Sequence, residues 1–290
     1  MITFLGSLNI VISKSGETLE TISNFHVLQK YKKNTQNLFI SENKNSYLRQ
    51  IAQNLKSEIF EHKNFIGGRY SVLSEVGMLP AELMGLDSVK FKKFNNLVAN
   101  KKFFNSIIIN VSNILKLVKR KKFNSVILNY DSTADNFLKW YQQLVAESLG
   151  KKGQGVFPII STMPKDNHSL MQLYLDGPKQ NFFTFFSVRE KNSNQIVNNS
   201  ILSSHKYIKD KNFSEILNAQ KKATEKVFFK NKIPFRSFEI LNRNEEVLGE
   251  LFTFFILETI LLGKFLNLNP YDQPAVEMIK KNTKKILINS

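Results

Sequence analysis

Cysteine is absent from the 290-residue sequence. That excludes a disulfide framework, thiolate chemistry and any cysteine metal site, and it suits a reducing, cytoplasmic setting. Histidine is scarce, and His26, His62, His168 and His205 show no metal-ligand spacing, so no resident metal is expected. Long apolar runs are missing too. The greasiest segment, Leu251 to Leu262, contains Glu258. At about a dozen residues it falls short of the roughly 20 that a spanning helix needs, so it reads as a buried core helix and no membrane is expected. Met1 to Gly6 has no basic region followed by an apolar stretch, so it is not a signal peptide.

Acidic side chains are also in short supply. Against 41 Lys and Arg there are 24 Asp and Glu, a net charge of +17. Basic clusters stand at Lys30–Lys33, Lys90–Lys93, Lys119–Lys122 and Lys280–Lys281, scattered along the chain rather than gathered in one tail. No binding motif accompanies them, so specific nucleic-acid binding is not expected and solvated faces explain the clusters. A diffuse positive field still attracts anionic metabolites. Hydrophobic residues at 42% and charged residues at 22% are ordinary globular values. At about 150 residues per domain the chain has room for roughly two.

Short apolar runs alternate with helical patterns. Strands are expected at Leu8–Ile12, Leu38–Ile40, Glu58–Phe60, Ser125–Leu128, Val156–Ile160 and Phe182–Val188. Helices are expected at Glu17–Lys30, Ser46–Leu55, Ala134–Ser148, Phe213–Phe228, Glu246–Lys264 and Gln273–Lys285, with a helical region at Val72–Val118 and a surface loop at Glu190–Ser200. Continuous rather than alternating apolar strands between helices imply α/β architecture with mainly parallel sheets covered on both faces. The boundary is placed near Asp87, giving domains 1–87 and 88–290.

Five segments carry candidate chemistry. Ser13, Lys14, Ser15 and Thr18 follow the first strand and open a helix, where hydroxyls and free N–H groups suit a phosphate; Ser and Thr are also ordinary helix caps. Gly67-Gly68-Arg69 follows the third strand. Paired glycines let backbone approach a ligand and Arg69 can hold an oxyanion; the alternative is a tight turn with a surface arginine. Glu147, at a helix end marked by Gly150, faces an unfavourable dipole that favours a base, and Gln143 lies one turn earlier on the same face. An exposed Glu and a solvated Gln would look alike in sequence. His168 is a lone histidine, more often structural than catalytic. Gln273 and Lys280 lie about two turns apart on one helix face, able to address one ligand or to serve as cap and solvated lysine.

Taken in order, these segments resemble the phosphoglucose isomerase family, built from two sugar-isomerase (SIS) domains. Asn64-Phe65-Ile66-Gly67-Gly68-Arg69-Tyr70-Ser71 through Gly77 is similar to its first signature, and Tyr271 to Lys280 to its second. Ser13 to Thr21, Ala146 to Lys151 and Asp166 to Leu173 resemble its other active-site motifs. The resemblance implies two SIS-type three-layer α/β/α domains. It also implies interconversion of glucose 6-phosphate and fructose 6-phosphate through ring opening and a cis-enediolate. Ser13, Lys14, Ser15 and Thr18 would hold the phosphate. Glu147 would shuttle the proton between C2 and C1, and Arg69 would stabilise the enediolate. His168 and Lys280 would open the ring, while Gln143 and Gln273 would line the pocket. A homodimer with His168 supplied across the interface is implied, and no cofactor or metal. Ala275 stands where the family commonly has glycine, Ser15 where threonine is frequent, and Asn167 where another residue is usual. The family's Gly-Ile-Gly-Gly-Ser phosphate loop has no counterpart here, so the first domain is expected to be truncated at its amino end. The rival expectation is a non-catalytic sugar-phosphate-binding SIS protein, or an inactive fragment of the isomerase.

Overall fold

The computed structural model describes residues 7–31, 35–189, 193–196 and 201–289. Met1 to Gly6, Lys32 and Lys33, and most of the expected Glu190–Ser200 loop lie outside the described residues. The chain divides into two compact units, 1–93 and 94–290. Asp87, where the boundary is expected, caps the short helix Ser88–Phe91 by accepting the N–H groups of Val89 and Lys90.

The first unit is a parallel three-stranded sheet in the order β1-β2-β3. Its strands are β1 (Leu8–Ile12), β2 (Gln36–Glu42) and β3 (Glu58–His62). Helices α1 (Leu19–Tyr31) and α2 (Tyr47–Asn54) lie between them. Val11 and Phe39 point one way and meet Phe25 of α1 with Leu48 and Ala52 of α2. This alternation is why apolar runs of three to five residues suffice for a strand. After β3 come a 3-10 helix, Gly68–Leu73, then α3 (Glu75–Leu83) and α4 (Ser88–Phe91).

The second unit opens with α5 (Phe94–Ala99) and α6 (Lys101–Lys119), the latter buried along Phe103, Ile107, Val111 and Ile114 at helical spacing. Its sheet, all parallel in the order β5-β4-β6-β7, contains β4 (Asn124–Asn129), β5 (Phe157–Thr162), β6 (Asn181–Val188) and β7 (Phe235–Ile240). Helices α7 (Asp135–Leu149), α8 (Met171–Asp176), α9 (Phe213–Lys230), α10 (Glu245–Phe265) and α11 (Pro274–Asn289) complete it. Val126, Leu128, Phe183 and Phe185 face Tyr174 of α8 and Phe228 of α9. On the other face Phe186 and Phe238 meet Phe137 of α7 and Phe255 of α10. The result is the expected three layers.

Strand β7 and helix α8 lie beyond the sequence expectation. Arg236 and Glu239 interrupt the apolar run of β7, and the reason they are tolerated lies elsewhere. The Arg236 guanidinium forms a two-pronged pair with Glu258 on α10, which is 1% exposed, and donates to Thr184 Oγ1 at 3.0 Å. Burial first, then the Glu258 carboxylate, pushes the neighbouring Tyr141 hydroxyl up to about 12. So the core helix around Glu258 is legible in the sequence, and its partner is not. Among the described residues no helix is long and apolar enough to cross a membrane, and no three His, Asp or Glu side chains gather as a metal site.

Candidate active site

In the first unit the β1–β2 ladder runs past the strand end into the candidate anion loop. Ser13 N–H donates to the Ile40 carbonyl (3.1 Å) and the Lys14 carbonyl accepts from Glu42 N–H (3.0 Å). Gly16 then takes a φ of +67°, and a Cβ there would lie 2.1 Å from Ser46 Oγ, so only glycine fits. Ser13 Oγ and Thr18 Oγ1 share a hydrogen bond of 2.7 Å across the loop, and Ser15 Oγ accepts from Glu17 N–H at 3.2 Å. Helix α1 starts at Leu19, later than the expected Glu17. The Glu17 carboxylate serves another helix: it accepts the N–H of Tyr47, the first residue of α2, at 2.8 Å. Its cost of leaving α1 is offset there, because the α2 cap residue Ser46 offers no side-chain bond. Hydroxyls gathered before a helix N-terminus are suited to an anion.

Lys14, assigned to the phosphate, has its ammonium engaged. Nζ donates to the carbonyls of Asn64 (2.9 Å) and Ile66 (2.8 Å) and pairs with Glu42 at 3.2 Å. Burial pushes the Glu42 carboxyl up, but hydrogen bonds from Lys44 and Lys14 outweigh it and hold the group below its ordinary value. Lys14 thus braces the anion loop against the segment before Gly67. Arg69 follows on the 3-10 helix, 4% exposed, its guanidinium 5.5 Å from the Tyr70 ring centroid. It is therefore not the surface arginine that the sequence left open. Gly67 has a φ of −66°, and a Cβ on Gly68 would meet nothing within 4 Å. Among the described residues neither strain nor packing calls for glycine at 68, and the space beside it is open.

In the second unit α7 buries Leu138, Tyr141, Leu144, Val145 and Ser148 and turns Gln143 and Glu147 away from that face. Gln143 Nε2 donates to Glu147 Oε1 at 3.0 Å, as their four-residue spacing allows. Past Gly150, Lys151 Nζ pairs with Asp272 at 2.7 Å and donates to the Asn269 carbonyl. Gly263 of α10 packs against Pro270 and Leu149, where a Cβ would come within 3.1 Å of the proline and 3.5 Å of the leucine. These contacts seat residues 269–272 against the end of α7, so the Glu147 and Gln273 segments are brought together. Lys151 has a role that the sequence reading does not assign, although it stands inside the quoted motif. Gln273 precedes α11, and Lys280, exposed, donates to Glu277 Oε1 at 2.8 Å.

His168 ends the 3-10 turn Lys165–His168 after β5 and is exposed. Asp166 anchors that turn by accepting from Ser161 Oγ, Thr162 N–H and Ser169 Oγ at 2.8, 2.8 and 2.9 Å. Burial pushes its carboxyl up, but these donors outweigh it and hold the group below its usual range.

The family model described as phosphoglucose isomerase matches residues 3–290. The chain belongs to the phosphoglucose isomerase family. This member is 31% identical over 285 residues to a glucose-6-phosphate isomerase of Methanocaldococcus jannaschii, covering 95% of this chain and 70% of that protein. The curated relatives it matches are longer; the chain spans 66% of a probable glucose-6-phosphate isomerase of Methanococcus maripaludis at 32% identity. In fold it is similar to a hypothetical protein from Thermus thermophilus, with TM-score 0.86 at 24% identity over 97% of this chain and 71% of that one. It is likewise similar to a glucose-6-phosphate isomerase from Chlamydia trachomatis, with TM-score 0.75 at 18% identity over 97% of this chain and 59% of that one.

Proposed function

We propose that this phosphoglucose isomerase family member interconverts glucose 6-phosphate and fructose 6-phosphate in the cytoplasm, as a glycolytic homodimer without cofactor or metal. The observation that carries the reading is the pairing of Glu147 with Gln143 at the end of α7, beside the segment that leads into Gln273. A carboxylate oriented by an amide donor can hold a proton between two adjacent carbons.

In this reading Ser13, Ser15 and Thr18 receive the phosphate, with Lys14 supplying positive charge nearby. His168 of a second copy and Lys280 open the ring by moving a proton between the ring oxygen and the anomeric hydroxyl, O1 in the aldose and O2 in the ketose. Glu147 removes the proton from C2 and returns it to C1 for the aldose-to-ketose direction, while the proton on O2 passes to O1 and leaves the carbonyl at C2. The electron pair left at C2 moves into the enediolate, whose oxygens Arg69 holds without itself changing protonation. Gln143 and Gln273 orient the base and the sugar.

The test is a coupled isomerase assay of the 290-residue chain with fructose 6-phosphate, beside Glu147→Gln. The variant keeps the shape of the side chain and removes proton acceptance. A loss of at least roughly a hundredfold in kcat with KM little changed is expected. Near-normal turnover in Glu147→Gln removes this residue from the mechanism. Binding of the sugar phosphate with no turnover in the unaltered chain overturns the enzymatic reading.

A further inference from the structure

His62 closes β3 with its side chain wholly buried. Its Nδ1 lies 2.6 Å from Glu75 Oε1 on α3, and its Nε2 lies 3.1 Å from the carbonyl oxygen of Ile66. A carbonyl oxygen only accepts, so Nε2 carries a proton. Glu75 Oε1 also accepts the Lys63 N–H at 3.3 Å. Burial pushes the Glu75 carboxyl up, but its own N–H, His62 and the Lys63 N–H outweigh that and keep it below its usual value. The two ring nitrogens thus engage α3 on one side and the Ile66 carbonyl on the other.

The charged groups around it are named by the contacts. Glu75 faces it from α3. Lys14, reaching from the end of β1, shares the Ile66 carbonyl at 2.8 Å and carries its own counter-ion, Glu42 of β2. Glu61 and Lys63, flanking His62 in sequence, pair with each other at 3.5 Å. Lys14 and His62 therefore converge on one carbonyl, one residue before Gly67. Lys14 is a long, partly exposed chain. His62 is short and buried, and keeps its hold whether Lys14 does or not. Beyond Ile66, Tyr70 N–H donates to the Gly67 carbonyl (2.9 Å) and Ser71 Oγ to the Gly68 carbonyl (2.7 Å), starting the 3-10 helix that bears Arg69.

We infer that His62 is a positioning residue: as a buried two-armed bridge between Glu75 and the Ile66 carbonyl, it sets the turn that presents Gly67, Gly68 and Arg69. This rests on the reading of Arg69 as the group that holds the enediolate.

Two substitutions separate the arms. His62→Gln places its amide nitrogen near the Nε2 position and keeps the hold on Ile66, whereas His62→Asn places it near Nδ1 and keeps only Glu75. The first readout needs no turnover: nitrogen NMR of the 290-residue chain labelled at histidine and arginine. Nε2 of His62 is expected to carry a slowly exchanging proton held by the Ile66 carbonyl, and an unprotonated or freely exchanging Nε2 overturns the inference. The Arg69 side-chain N–H signal should move in His62→Asn and stay in His62→Gln; movement in both or in neither overturns it. The second readout is kinetic. We expect kcat with fructose 6-phosphate to fall at least about tenfold in His62→Asn and less than about threefold in His62→Gln, with KM little changed in either. Equal losses in the two variants, tracking their melting temperatures, reduce His62 to packing and overturn the inference. If both fail to fold, Glu75→Gln tests the clamp from its half-buried end: it should move the His62 ring-nitrogen signals and the Arg69 signal, and unchanged signals overturn the inference. An unaltered chain with the NMR signature but no turnover sinks the isomerase reading and leaves the clamp. Turnover without the signature does the reverse.

Discussion

The two units carry their candidate chemistry in opposite ways. In the first, the groups are locked into the fold: Ser13 and Arg69 are buried, Lys14 bridges three acceptors, and Glu17 caps a helix on another segment. In the second, the groups project from it: Gln143, His168 and Lys280 are exposed, and Glu147 is half-buried with an amide for a neighbour. Buried donors with fixed partners suit gripping a charge that does not change during reaction, since they need no reorganisation when the anion arrives. Groups that must gain and lose protons are better left mobile at helix and turn ends, to be ordered by substrate or by a second copy. Substitutions in the first unit should therefore cost stability, and those in the second should cost turnover.

The largest stability effect that would test this contrast is at Gly16. Gly16→Ala forces a side chain into a φ of +67° and into Ser46 Oγ. Left-handed backbone alone costs an L-residue about 1–2 kcal/mol, and the overlap adds to it, so a loss of about 3 kcal/mol in urea unfolding is expected. A loss below about 0.5 kcal/mol, within the range of an ordinary surface change, would show that the anion loop yields and is not locked.

The exposed side is tested next, by His168→Ala. It should leave the melting temperature in place and reduce turnover of cyclic fructose 6-phosphate at least about tenfold more than exchange on an open-chain analogue, because ring opening and enolisation use separate acid–base groups. Equal losses on both substrates would make His168 a support for the base rather than a ring-opening group.

Gly68→Ala crosses the comparison, since it lies in the locked unit but has open space beside it. Stability should change by less than about 0.5 kcal/mol, as at a surface position. Sugar-phosphate affinity should fall several-fold if a ligand approaches that backbone closely. Unchanged affinity would mean that Gly68 marks no contact.

What is legible in the sequence follows the same division. Strands β1 to β6 are readable because each holds a short apolar stretch between helical patterns, α7 because its apolar spacing is helical, and α10 because it is the greasiest run of the chain. The motifs are legible because residues such as Gln143 and Glu147 interact at short range within one helix. What escapes depends on distant partners: β7 is disguised by Arg236 until Glu258 is placed beside it. Glu17 reads as a first-turn acid until Tyr47, far along the chain, turns out to be its donor. Lys14 and His62 converge on one carbonyl that no periodicity marks. Local pattern fixes elements; these convergences are made only by the packed chain.

The smallest effect concerns acid, and it probes a locked group on the projecting side. Asp166 holds the turn bearing His168 through three donors, and those donors favour its ionised form, so its folded pKa lies below the unfolded one. A depressed carboxyl contributes stability that is fully present above the unfolded pKa, about 3.9, and is lost as pH falls through the folded value. The group is near the surface, so the contribution is less than about 1 kcal/mol after solvent screening. In the unaltered chain the urea midpoint should drop on going from pH 6 to pH 3, as many carboxylates protonate. Asp166→Asn should start from a lower midpoint at pH 6 and drop by less, because one of the groups responsible for the fall has been removed. If the two chains fall in parallel, Asp166 does not feel its three donors in solution, and the turn that carries His168 is held by something other than this carboxylate.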